Sequence, residues 1–173
     1  MKETERRLVP EPSQRALTAR HVAYASIALY LLSLALPAIH EVGLGVAPTH
    51  GLGILATGYF GFLFMQMGWL ANVFWVLGVI LLARRQWKTA TLLAALAVLV
   101  AADSFVLYET GFPSDSGHNY AVTLMYGFWV WWASLWVLAA GAFLLWRRAR
   151  AAEFSVDGPR TAADFHEEAR HGA

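Results

Sequence analysis

The chain has 173 residues, 58% of them apolar and 14% charged, with a formal net charge of +1 and no cysteine. That near-neutral balance offers no global field to nucleic acid, and the lack of thiols excludes a disulfide relay, an iron–sulfur cluster or a thiolate metal site. Length and apolar excess fit one membrane-embedded domain, because all thirteen Lys and Arg fall in three short stretches, with none from His21 to Ala83 or from Thr89 to Trp146.

Residues 1–20 are polar, contain two prolines, and read as a cytoplasmic tail. The first apolar run, about 22–39, follows this charged head and lacks a good small-x-small cleavage site around Leu34-Ala35-Leu36-Pro37-Ala38, so it reads as a retained anchor. Ser26, Tyr30, Ser33 and Pro37 fall on one face of that span, and Pro37 predicts a kink near its outer end. Residues 40–50 form an outer loop with Gly and Pro.

The next apolar segment, 51–83, would extend roughly 50 Å as a single helix, against a hydrocarbon core of roughly 30 Å. It is therefore expected to divide into a short interfacial or re-entrant piece over 51–58 and a second span over 59–83. Arg84-Arg85-Gln86-Trp87-Lys88 is a tight basic turn, which leads to a third span over 89–108. A loop over 109–119, whose only charges are acidic, precedes a fourth span over 120–146, which stops at Arg147-Arg148. The tail 147–173 completes the chain.

The N-terminal tail carries five basic residues, the inner turn three and the C-terminal tail five, while the outer loops carry none. Basic residues are retained on the cytoplasmic side, so the expected fold is an all-α four-helix transmembrane bundle over 21–146 with up-down connections and both termini cytoplasmic.

Asp103 is the one acid within a span, and Gln66 is expected at similar depth on the second span. An ionisable group in the membrane is a functional candidate by default, here a proton-coupling or cation site. Asn72, near mid-membrane, reads as an interhelical hydrogen-bonding residue. On the fourth span Trp129, Trp132 and Trp136 share a face and could line a pocket for a quinone, carotenoid or lipid tail, while Trp131 points elsewhere. His40, His50 and His118 put imidazoles on the outer side, but their spacing matches no metal motif and no metal or other cofactor is expected.

Leu34-Ala35-Leu36-Pro37-Ala38, Trp69-Leu70-Ala71-Asn72 and Gly127-Phe128-Trp129-Val130-Trp131-Trp132-Ala133-Ser134 resemble a loose group of small bacterial four-span inner-membrane proteins without assigned function. The resemblance covers most of the membrane part and neither tail; the group often has Pro after the Asn, where this chain has Val73. It implies a bacterial cytoplasmic membrane and carries no catalytic residues with it.

No nucleophile–base pair or metal triad stands out, so an enzyme is not expected. The expected role is that of a non-enzymatic accessory or assembly subunit of a membrane complex, in contact with lipid and with other membrane subunits or a second copy of itself. Two alternatives are a small oligomeric proton-coupled transporter or channel that uses Asp103, and a binder of a lipid-soluble ligand at the Trp-rich fourth span.

Overall fold

The structure, a computed structural model, describes residues 18–42, 45, 47–64, 66–111 and 121–156. It is mostly helical, and its long helices pack lengthwise. Helix α1 (Ala19–Ala35) begins at Thr18, whose hydroxyl accepts the backbone N–H of His21 at 3.4 Å. It ends because Pro37 forces Leu36 into extended backbone (φ −92°, ψ 152°). The kink expected at Pro37 is thus a full stop, and the outer end of the 22–39 span is strand rather than helix.

That strand, β1 (Pro37–Glu41), lies between β2 (Thr49–His50) and β3 (Val122–Leu124) in a three-stranded antiparallel sheet. Its register pairs Ile39 with Thr49 on one side and with Leu124 on the other. The all-α expectation is corrected here. Pro37 is tolerated because it opens its strand, and the neighbouring Leu36 carbonyl accepts the N–H of Gly51 at 3.0 Å.

The segment 51–83 divides near residue 58, as expected, but its remainder is not one helix. It contains α2 (Gly51–Thr57), a 3₁₀ helix over Gly58–Phe64, a break, and then α3 (Leu70–Ala83). A single helical span over 59–83 is therefore corrected: only its C-terminal part, Leu70–Ala83, is α-helix. At the far end of α3, Arg85 adopts a left-handed conformation (φ 60°), and the N–H groups of Arg85 and Gln86 close on the carbonyls of Leu82 and Leu81. This is the six-to-one closure that usually takes glycine, and it turns the chain directly into α4 (Trp87–Ala101).

After α4 the helix tightens to i→i+3 bonds at Ala102 and Asp103, then resumes as α5 (Ser104–Thr110). Helix α6 (Tyr126–Val156) is unbroken over 31 residues. It starts later than the expected 120, because β3 precedes it, and it runs ten residues past the expected 146, so that part of the C-terminal tail is helical.

Two stretches, Trp87–Val106 and Tyr126–Glu153, are long and apolar enough to cross a membrane, and Ala19–Ala35 and Leu70–Ala83 are shorter apolar helices. The core between them is built on small residues. Ala90, Ala94, Ala97 and Ala101 are fully buried at helical spacing along one face of α4, which packs against both α3 and α6. Without bulk on that face the backbones approach closely, and such contact drives helix association where the solvent is itself apolar. The opposite seam, α1 against α6, is closest at Gly141, where a Cβ would collide with the Val22 side chain.

Candidate functional site: an end cavity between two helix breaks

The break before α3 and the tightened turn after α4 lie against each other. Met67 and Gly68 have left the 3₁₀ helix and are not yet in α3, so their N–H groups lack helical partners. Asp103 supplies one: its Oδ2 accepts the Met67 N–H at 2.6 Å and the Gly68 N–H at 3.2 Å. Proximity is enforced by Gly68, where a Cβ would strike the Ser104 hydroxyl. One carboxylate therefore joins two interrupted helices.

These breaks flank a cavity of about 400 Å³, which is floored and walled by α1, β1, α2, the 3₁₀ helix and the start of α6. That is within the range of ordinary small-molecule sites, roughly 300–1,000 Å³. On one wall Asn72 makes a three-helix junction: its Oδ1 accepts the Tyr30 hydroxyl proton and the Trp131 indole N–H, both at 3.0 Å, while its Nδ2 donates to the Trp69 carbonyl at 3.0 Å. Below it the Tyr30 ring stacks on Trp75, with centroids 4.0 Å apart. On the other side the Trp69 indole donates to the Leu55 carbonyl at 3.0 Å and pins α2 over the cavity. A Cβ at Gly127 would come within 2.7 Å of the Leu36 carbonyl, so glycine there lets the first turn of α6 close the cavity against β1.

Asp103 lies more than thirty residues after Gln66 and Asn72, yet all three line this one cavity. Gln66 shares the cavity with Asp103, whose carboxylate takes the backbone N–H groups of the two residues that follow Gln66. The rings of α6 divide between this cavity and other surroundings. Trp131 and Phe128 line the cavity, whereas Trp129, Trp132 and Trp136 are not among its lining residues. Trp129 and Trp136 stand about half exposed, at 50% and 52%, and Trp132 packs edge-on against Phe105 at 5.2 Å.

The histidines do not converge. His40, in the central strand, has a buried Nδ1 with no hydrogen-bond partner among the described residues; His50 precedes α2; His118 lies outside the described residues. No group of three or more potential metal ligands occurs among the described residues.

Tyr30, Glu41, Trp69 and Trp131 also line the cavity, a ligand-pocket role that the sequence did not assign to them. The signal for Tyr30 was present, since it sits at helical spacing with Ser26 and Ser33 on the one polar face of α1. For Glu41 the sequence shows a carboxylate in the loop after the first span, and its place at the cavity depends on the strand pairing of β1. No family model, curated protein or solved structure matches the chain.

Proposed function

We propose that the chain is a four-span protein of a bacterial cytoplasmic membrane with both termini inside, and that it binds a small lipid-soluble ligand, without catalysis, in the end cavity. The spans are α1, α3 with the segment before it, α4 continuing into α5, and α6. The distribution of Lys and Arg supports the orientation. In that orientation the sheet and the cavity lie on the outer side.

The observation that carries the ligand reading is the pair of helix breaks joined by Asp103 at the cavity wall. Helix α3 has 14 residues, about 21 Å of rise, and falls short of a hydrocarbon core of roughly 30 Å. Irregular backbone makes up the remaining depth. Such backbone is tolerated at membrane depth only where it is buried in protein or lines a cavity, and paired helix interruptions are a recurrent way of building a binding site there.

The test has two parts. The chain lacks cysteine, so Gln86→Cys and Ala47→Cys are each unique labelling sites. A membrane-impermeant maleimide should label Ala47→Cys in intact cells, and Gln86→Cys only after permeabilisation; the reverse pattern rejects the orientation. Native mass spectrometry of the purified protein should then show a retained small molecule that is lost in Ile54→Trp, which fills the cavity. Equal adduct masses in both proteins would count against the ligand reading.

A second reading, the accessory subunit, is supported by Trp129 and Trp136, whose half-exposed rings give α6 a flat aromatic face for a neighbouring helix. A stoichiometric membrane partner that is lost when both are changed to Ala is its expected result.

A further inference from the structure

The cavity's polar groups are unevenly spent. Most of its donors are used inside the protein; the Thr49 and Ser104 hydroxyls and the Gln66 amide are lining donors with no side-chain hydrogen bond among the described residues. Besides Tyr30, Trp131 and Trp69, the Ser33 hydroxyl is given to the Tyr30 carbonyl at 2.6 Å and the Thr57 hydroxyl to the Gly53 carbonyl at 2.9 Å. Its acceptors are not. Glu41 and Asp103 both line the cavity, and among the described residues the second Asp103 oxygen and both Glu41 oxygens receive no hydrogen bond.

No Lys or Arg lies near these carboxyls in the sequence; the basic side chains nearest to Glu41 along the chain are His40 and His50. Every lining residue falls within the two long stretches that contain no Lys or Arg. The remaining wall is apolar and rich in rings, including Phe60, Trp69, Phe128 and Trp131. Aromatic faces attract a cation and are indifferent or unfavourable to an anion. The cavity is the site, and the two carboxyls decide the sign of charge it accepts.

We infer that the cavity takes a lipophilic organic cation, an ammonium or phosphonium on an apolar body, with its charge held by Glu41 and Asp103 and its body against Phe60, Trp69, Phe128 and Trp131. This rests on the ligand-binding reading above and names the class of ligand. A neutral quinone or carotenoid would leave both carboxyls unanswered, and a lipid phosphate would be repelled by them.

The deciding experiment is equilibrium binding to the intact protein in nanodiscs of zwitterionic lipid, with protein-free discs as background. The probes are tetraphenylphosphonium, the similarly shaped anion tetraphenylborate, and neutral menadione. Saturable one-site binding of the phosphonium, and of neither other probe, is expected. Glu41→Gln and Asp103→Asn should each weaken it by about tenfold or more, as loss of a desolvated charge partner does. Glu109→Gln should not, because Glu109 is exposed and lies off the cavity. Each variant is checked for a monodisperse elution profile. Asp103→Asn retains an oxygen acceptor for the Met67 and Gly68 N–H groups, so it tests charge rather than folding.

Saturable binding of menadione or tetraphenylborate but not of the phosphonium overturns the cation and leaves the ligand-binding reading in place. Phosphonium binding that is unchanged in both Glu41→Gln and Asp103→Asn also overturns the cation assignment. Binding of none of the three, together with no retained small molecule in native mass spectrometry, overturns both readings.

Discussion

Trp75 donates its indole N–H to the Ser26 hydroxyl at 2.8 Å, deep in the helix core and 49 residues away in sequence. Ser26 passes its own proton on to the Ser134 carbonyl at 2.8 Å, so a single hydroxyl links α3, α1 and α6. Both of its hydrogen-bonding roles are filled by other helices, and the residue is fully buried.

Ser26→Ala should therefore cost more than an ordinary small-to-small exchange. It removes the acceptor for a buried indole N–H, a loss worth about 1–3 kcal/mol in general and nearer 0.6–2 kcal/mol between membrane helices. Reversible unfolding in mixed micelles should show a destabilisation in that lower range. A value near zero would mean that Trp75 finds another partner.

Asn72 joins the same three helices nearer the cavity, and it holds two donors rather than one. Asn72→Leu should thus destabilise more than Tyr30→Phe, which leaves Asn72 still bonded to Trp131. The expected gap is about 1 kcal/mol, the usual net worth of one hydrogen bond, and a double-mutant cycle between Tyr30 and Asn72 should show coupling.

At the α1–α6 seam, Gly141→Ala should overpack against Val22, at a cost of about 1–3 kcal/mol. Val22→Ala opens the space that the new methyl needs. The double variant should recover most of the loss, and thermal stability in detergent can read this directly. Simple addition of the two penalties would show that the seam does not behave as a close-packed pair.

For Asp103 the prediction separates acceptor from charge. Asp103→Asn should hold stability within about 0.5 kcal/mol, because an amide oxygen still faces the Met67 and Gly68 N–H groups. Asp103→Ala removes that acceptor and should cost about 0.5–2 kcal/mol, as loss of a helix-capping side chain does. Hydrogen exchange at Met67 and Gly68 should rise in the Ala variant only.

What the sequence made legible was governed by local rules. The absence of Lys and Arg marked the apolar stretches, 33 residues over 51–83 were too many for one helix, and the basic turn at 84–88 was read in place. Asp103, Gln66 and Asn72 were picked out because polar groups in apolar stretches need a reason to be there, and all three reach the cavity. The three-stranded sheet escaped because β2 and β3 are two and three residues long, and pairing across more than eighty residues leaves no periodic trace. The tryptophans of α6 could not be placed relative to this cavity for a geometric reason. A shared helical face says which rings point together, not whether that face meets the interior, and it is the odd ring, Trp131, that turns inward to Asn72.

Helix α6 extends for 31 residues, about 46 Å, without an interruption, whereas the helices facing it across the cavity are broken. Its first turn rests on the Leu36 and Pro37 carbonyls at Gly127, and its last turns carry Arg147 and Arg150, whose guanidinium groups lie over the Phe143 and Trp146 rings at 5.9 and 5.8 Å. In the proposed orientation it is a lever with its pivot at the outer cavity and its free arm in the cytoplasm. Over that length a tilt of about 5° displaces the far end by about 4 Å. Any tilt of α6 at the cavity end would thus be carried, with no hinge in between to absorb it, to the cluster of positive charge at its other end.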